Sequence, residues 1–339
     1  MKPVLTIVVP VYNTEQYLEK CLDSLLIPQL DKLEVIVVID GSPDNSLGLA
    51  NKYARRYPDT FKVVNKENGG HGSCCNVGLK LATGKYIRFL DSDDWLETDS
   101  LNAMVGRLNQ TEVDVILTHS QIENVYNNTS EAYGYAFDEG MCDNVIRIED
   151  INFHEKDTPL FSLADCTFNT STLKKTEIFF SEGTSFDDNI IYTHPYIGVS
   201  TVLFVNLLLY HYYVGRPGQS IQSLSPEKYC QSFNEAFRAL KVFREIPKET
   251  FDRCRVQFST IESRMIRSLY ALNAKTPQEG RKIRLKKLND YVNKDSRTCQ
   301  IGATKLFFLQ RTSSPLFFII YEAISKGLRT LFSRKNKHL

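Results

Sequence analysis

Gly84-Lys85-Tyr86-Ile87-Arg88-Phe89-Leu90-Asp91-Ser92-Asp93-Asp94-Trp95, residues 84–95, is the stretch on which the fold turns. A short apolar run, Tyr86 to Leu90, reads as a strand and stops abruptly at three carboxylates within four residues. Strands buried on both faces belong to parallel sheets, and such sheets bind ligands just beyond the carboxyl ends of their strands. Three neighbouring carboxylates repel one another unless a cation lies among them. A hard divalent ion such as Mn²⁺ or Mg²⁺ takes oxygen ligands and would bind phosphates too. Asp91 and Asp93 are therefore expected to serve a metal and a ribose, while Asp94 suits a helix N-terminus, where the dipole favours an acid.

Working outward, the same strand–helix alternation fills the first third of the chain. Leu5 to Val9, Leu33 to Ile39, Phe61 to Val64 and Val113 to Leu117 read as further strands. Thr14 is placed to cap a helix whose Tyr17, Leu18, Cys21, Leu22 and Leu25 share one side. Asp44-Asn45-Ser46 opens a second helix, and Ser73 to Ala82 and Ser100 to Leu108 are two more. The expected class is α/β, a mostly parallel sheet flanked by helices with right-handed crossovers. Its rim would gather Pro10-Val11-Tyr12-Asn13, Asp40-Gly41-Ser42, the loop Glu67 to Ser73 and the acidic cluster. Together they suggest a nucleotide pocket. The glycines of Asn68-Gly69-Gly70-His71-Gly72-Ser73 either let backbone N–H groups approach an anion or form a plain turn; both readings stay open. A dinucleotide fingerprint is excluded, because no glycine lies between Val11 and Gln16.

The whole chain bounds the alternatives. Its 339 residues, 42% hydrophobic and 24% charged, provide ample core. A net charge of +1 argues against a nucleic-acid binder that works by phosphate neutralisation. Eight cysteines lack metal-ligand or CxxC spacing, and the N-terminus is not a signal peptide, so free thiols in a cytoplasmic protein are expected. Adjacent Cys74-Cys75 read as packed small hydrophobes. No run approaches the roughly 20 apolar residues of a membrane span. The pattern divides the chain into 1–225, with a nucleotide-binding half at 1–117 and irregular additions at 118–225, and a helical subdomain at 226–339. Helices are expected near 227–244, 248–273 and 278–293. The basic-aromatic tail, with Leu316-Phe317-Phe318-Ile319-Ile320 among its lysines and arginines, fits either a peripheral contact with the inner membrane face or packing in a homo-oligomer.

These motifs together resemble the family 2 glycosyltransferases of the GT-A fold. The resemblance rests on Val9-Pro10-Val11-Tyr12-Asn13, Asp40-Gly41-Ser42-Pro43-Asp44-Asn45-Ser46, the Asn68-Gly69-Gly70 loop with Asn76, and Gly84-Lys85-Tyr86 leading into Asp91-Ser92-Asp93-Asp94-Trp95. It covers about the first 110 residues and is not evident in the C-terminal helices. It implies an inverting, metal-dependent transfer of a sugar from a nucleotide-sugar, usually a UDP-sugar. The acceptor would be a glycan, a lipid-linked intermediate or a glycoprotein of bacterial cell-surface type. Pro10, Tyr12, Asn13, Asn68, Gly70, Asn76 and Ser92 would border the nucleotide-sugar, Asp40 would bond the base, Asp91 would lie near the ribose, and Asp93 would hold Mn²⁺ or Mg²⁺. Where the family often carries a small residue and Arg before the loop asparagine, this chain has Cys74-Cys75 and an inserted His71, which would touch a phosphate or the sugar or be a simple loop histidine.

Further along, Phe186-Asp187-Asp188-Asn189 resembles the family's acidic pair, with Asp188 as catalytic base and Asp187 as the fallback. Tyr210-His211-Tyr212-Tyr213 and the following loop resemble its tyrosine-rich strand, from which Arg216 and Ser220 would close over the pyrophosphate. Trp95 is expected to pack beneath the acidic turn. Two other classes compete. A sugar nucleotidyltransferase would show a basic Gly-rich loop after the first strand, absent here; a non-catalytic sugar-nucleotide-binding or scaffolding subunit would not need Asp93 and Asp188 intact.

Overall fold

The structure is a computed structural model that describes residues 2–137, 139–151, 160–217, 219 and 225–294. Ser220 and the basic-aromatic tail lie outside the described residues. By their contacts the residues form two compact units, one of Met1–Ser223 with Glu245–Cys254, the other of Leu224–Arg244 with Arg255 onward.

The first unit opens with the expected alternation: β1 (Leu5–Val11), α1 (Glu15–Asp23), β2 (Leu33–Asp40), α2 (Ser46–Arg56), β3 (Phe61–Lys66), α3 (His71–Leu81), β4 (Tyr86–Phe89), β5 (Trp95–Leu96) and α4 (Thr98–Leu108). Then come β6 (Val115–Asn124), β7 (Thr129–Tyr133), β8 (Val145–Arg147), β9 (Cys166–Asn169), α5 (Thr170–Lys175) and β10 (Thr201–Val214). The sheet runs β3-β2-β1-β4-β9-β6-β10-β5, with β7 paired to β6 and β8 to β10. Every residue of β1 and β2 is buried, as their unbroken β-branched runs require. β1 passes through Pro10, which lies beyond the last β1–β4 pair, Val8 with Phe89; a missing N–H is tolerated where one side of the ladder has ended.

Three features depart from the sequence reading. The short β9 enters antiparallel between β4 and β6, so the sheet is mixed at its centre. The stretch expected to be irregular contributes the longest strand, β10, which pairs in parallel with β6 through two register shifts. Nor is β4 purely apolar. Arg88 on it is fully buried, donating to Thr167 Oγ1 at 2.8 Å and to the Ala164 carbonyl, and burial pulls its pKa down to about 10.

At the helix starts, Thr14 does not cap α1 with its side chain. The N–H of Glu15 instead donates to Asp44 Oδ2 at 2.8 Å, and Glu15 Oε2 accepts from the N–H of Asn45 at 3.0 Å. Each helix start thus borrows a carboxylate from the other, a reciprocal form of capping.

Every described cysteine is a free thiol, and Cys74 and Cys75 are fully buried. Among the described residues, no helix is long and apolar enough to cross a membrane.

In the second unit, α6 (Pro226–Lys241) is capped by Ser225, whose Oγ accepts from the N–H of Lys228. The stretch read as one helix over 248–273 is two, α7 (Lys248–Arg253) and α8 (Arg255–Lys275), broken at Cys254 with φ −98° and ψ 23°. α7 falls within the first unit. α8 and α9 (Arg281–Lys294) join α6 around Phe233, Phe243, Phe258 and Leu288. Within that core the hydroxyl of Tyr291 donates to buried Glu262 at 2.6 Å.

Candidate active site

The carboxyl ends of β1, β2, β4 and β10 meet on one rim of the sheet, so the acids expected from sequence are neighbours in space. Their partners, however, redistribute the roles.

Asp40 does not line an open pocket. It is 2% exposed. Its Oδ1 accepts from Lys66 Nζ at 2.6 Å and from the N–H of Gly69 at 2.9 Å, and its Oδ2 accepts from the N–H of Gly70 at 2.8 Å. Asn68 donates to the Asp40 carbonyl at 2.9 Å. The glycine loop does cradle an anion, and that anion is the protein's own Asp40. Asp40 and Asn68 thus have internal partners around the glycine loop beside the roles expected of them at the nucleotide. The third strand extends past the apolar run Phe61 to Val64 as far as Lys66, which lies in register with Asp40 on the neighbouring strand.

Gly70, at φ 86°, ends the loop and starts α3. A side chain at Gly72 would collide with the Ser181 carbonyl, its Cβ lying 2.2 Å away. The absence of that carbon lets the segment 180–187 lie directly against α3. Gly183 donates its N–H to the Gly69 carbonyl at 2.6 Å. Asn76 fastens the same segment: its Oδ1 accepts from the N–H of Phe180 at 2.9 Å and its Nδ2 donates to the Phe180 carbonyl at 2.8 Å. Asn76 is thereby a brace for the segment that carries the acidic pair.

The acidic turn after β4 is similarly divided. Ser92 is buried with its hydroxyl 2.8 Å from that of Thr14, so its side chain is turned from the pocket. Asp94 is no helix cap. It is 1% exposed, accepting from the Tyr210 hydroxyl at 2.5 Å and the N–H of Tyr213 at 2.8 Å, and so straps the turn to β10. Burial, then the charges of Asp93 and Asp91, hold its pKa well above the usual carboxylate range. Asp93 accepts from Arg216 Nε at 2.5 Å; burial and the Asp91 charge raise its pKa even so. Asp91 keeps 42% of its side chain exposed. Its partial burial is outweighed by His71 and Arg216, which keep its pKa below the ordinary value.

His71 takes a place that the sequence did not reveal. Its Nδ1 lies 2.9 Å from Asp187 Oδ2 and its Nε2 lies 3.1 Å from Asp91 Oδ1. A neutral imidazole donates one hydrogen bond, so a ring facing a carboxylate at each nitrogen is doubly protonated. Burial disfavours that charge, but Cys75, Asp187 and Asp91 outweigh it and hold the His71 pKa well above the usual value. Because the buried Cys75 thiol is itself shifted upward and stays protonated, the two carboxylates carry the effect.

Asp187, buried, spends one oxygen on His71. Beside it the Asp188 carboxylate has no hydrogen-bonding side chain among the described residues, and burial, followed by the Asp187 charge, raises its pKa to about 6. The pair follows Phe186, held at φ 67° in the left-handed region, where a non-glycine residue is strained. Asp188 also bears on Tyr133 and Tyr192, whose hydroxyl pKa values are raised chiefly by burial and then by nearby acids including Asp188.

At the mouth, Tyr12 is 52% exposed and Asn13, at φ 53°, donates its N–H to Ser42 Oγ at 2.8 Å. Pro10 is buried. Trp95 packs as expected, stacked on His211 with ring centroids 5.1 Å apart. A separate open depression of about 580 Å³, lined by Gln16, Lys20, Asp23, Trp95 and Glu97, does not include the acids described above.

Could this rim hold a divalent ion? No group of three or more His, Cys, Asp or Glu able to bind one occurs among the described residues. Asp93 nonetheless draws a full positive charge to its Oδ2, and Asp91 on the same turn is partly open. That donor set fits a Mg²⁺- or Mn²⁺-type site in which one or two carboxylates are completed by phosphate oxygens and water.

Comparison with known proteins bears on the family and the fold. Residues 6–175 match the family described as Glycosyl transferase family 2. The chain is 30% identical over 220 residues to the glycosyltransferase GlyG of Streptococcus pneumoniae, covering 62% of this chain and 71% of GlyG. Its fold is similar to that of Staphylococcus aureus TarS residues 1–349 in complex with UDP-GlcNAc, with a TM-score of 0.54, 22% identity, and coverage of 86% of this chain and 88% of that one. It is also similar to the Pyrobaculum calidifontis mannosyltransferase PcManGT in complex with GDP-Man and Mn²⁺, with a TM-score of 0.54, 17% identity, and coverage of 98% and 88%.

Proposed function

The chain belongs to glycosyl transferase family 2 and has the GT-A fold, and from that premise we propose that it is an inverting, metal-dependent enzyme that moves a sugar from a UDP-sugar to a hydroxyl of a glycan, lipid-linked or glycoprotein acceptor. The observation that carries the reading is Asp188. It is a half-buried carboxylate with a pKa raised to about 6, without a hydrogen-bonding side chain among the described residues and joined through Asp187 and His71 to the acid turn of the donor side.

In this reading Asp188 accepts the proton of the acceptor hydroxyl as that oxygen attacks the anomeric carbon. The bond from that carbon to the diphosphate oxygen breaks on the opposite face, and the diphosphate leaves with the electron pair. A divalent ion, when bound at Asp93, supplies charge stabilisation for the departing diphosphate. Asp91 borders the ribose, and Tyr12 and Asn13 edge the nucleotide. Asp187 orients His71, which keeps Asp91 and the acidic pair in one charge-balanced arrangement.

The test is a screen of UDP-, GDP- and CDP-sugars for thermal stabilisation and hydrolysis with and without Mn²⁺. A ligand that binds only the folded protein raises the melting temperature in step with its concentration over Kd. A UDP-sugar is expected to give Mn²⁺-dependent stabilisation and slow hydrolysis, both lost in Asp93→Ala. No response to any UDP-sugar with Mn²⁺ would overturn the proposal.

A further inference from the structure

Arg216 and Asp93 are separated by 123 residues in sequence yet form one of the driest ion pairs of the first unit, their side chains 14% and 12% exposed. The guanidinium also lies over the Tyr17 ring, 5.3 Å from its centroid, and donates to the Pro217 carbonyl at 3.4 Å. The oxygen that Arg216 holds belongs to the carboxylate assigned above to the divalent ion. Two cations cannot share it in a poorly hydrated setting without strong repulsion.

We infer that Arg216 is the resident counter-cation of Asp93, so that a divalent ion binds this site weakly alone and more tightly together with a nucleotide diphosphate. The inference rests on the reading of Asp93 as the metal ligand. An ion arriving alone would have to displace the guanidinium from its carboxylate and leave it charged, largely buried and without that anion, which is unfavourable. A diphosphate removes that obstacle because it offers the displaced guanidinium a new anion with matching donor geometry. Metal and diphosphate therefore bind with positive coupling, and by linkage each raises the affinity of the other by the same factor. Arg216 is in this sense a positioning residue that favours joint binding.

The experiment measures Mn²⁺ binding directly, by loss of the free-ion electron paramagnetic resonance signal, with and without UDP or GDP. It uses the full chain as wild type, Arg216→Gln and Arg216→Lys. Wild type is expected to bind Mn²⁺ alone weakly and to gain about tenfold or more with the diphosphate, within the usual range of such couplings. Arg216→Gln is expected to bind Mn²⁺ alone about tenfold more tightly and to lose most of the diphosphate effect. Arg216→Lys, which keeps the charge, should follow wild type and shows that a loss in the Gln variant is not simple misfolding. Equal Mn²⁺ affinity in wild type and Arg216→Gln, with the diphosphate effect intact, would overturn the inference and leave Asp93 as the metal ligand. No Mn²⁺ binding by any of the three, even with diphosphate, would overturn the metal assignment itself.

Discussion

The two acidic turns of the first unit, 91–94 and 187–188, use their carboxylates in opposite ways. On the donor side nearly every acid is satisfied by the protein: Asp94 by Tyr210 and Tyr213, Asp93 by Arg216, and nearby Asp40 by Lys66 and two backbone amides. On the other side Asp187 is similarly committed to His71, but Asp188 has no side-chain donor among the described residues and its pKa is raised to about 6. Even where burial keeps its pKa raised, as at Asp93 and Asp94, a carboxylate that holds structure has its oxygens taken by donors. One that is to take a proton is left without them. The contrast separates scaffold from chemistry more sharply than the count of acids does.

The largest effect should come from the unpartnered side. Asp188→Asn is expected to lower kcat by about 10² to 10⁴, the usual range for removing a general base, with little change in melting temperature. Its wild-type kcat/KM should fall as pH drops through about 6, because protonated Asp188 cannot accept the hydroxyl proton. A flat profile between pH 5 and 7, under conditions where chemistry limits the rate, would erase the distinction between the turns.

Next in size, Asp40→Ala should act on stability. It strands Lys66 and the N–H groups of Gly69 and Gly70, and losing one partner of a buried pair costs about 3 kcal/mol, readable by urea or thermal unfolding. Full stability with selective loss of nucleotide affinity would leave Asp40 with the base-binding role alone. The smallest effect is expected at the brace: Asn76→Ala removes two hydrogen bonds to Phe180, about 1–2 kcal/mol, and should lower kcat more than it raises the KM for donor.

Much of the nucleotide-binding half was legible because β1 and β2 are largely apolar, β-branched runs and its turns are local in sequence. The ends of β1, β2 and β4, the helices between them and the acidic turn all follow from short-range pattern. The rest depends on partners far apart in the chain. Four residues, Cys166 to Asn169, carry too little periodicity to announce a central antiparallel strand. Nothing local in Asp93 points to Arg216, and nothing in the glycine loop says that its anion is Asp40 and not a phosphate. The acidic pair was found by resemblance; what distinguishes Asp188 from Asp187 is burial and partners, which only the folded chain supplies.

The missing side chain at Gly72 carries one more consequence. Because the 180–187 segment rests on the bare backbone of α3 and is fastened to it at Asn76 and to the preceding loop at Gly69, the helix acts as a gauge block between the two acidic turns. His71, the first residue of that helix, spans the same gap. Any small displacement of α3 carries His71 and the acidic pair together, so the position of this one helix sets how far Asp187 stands from Asp91.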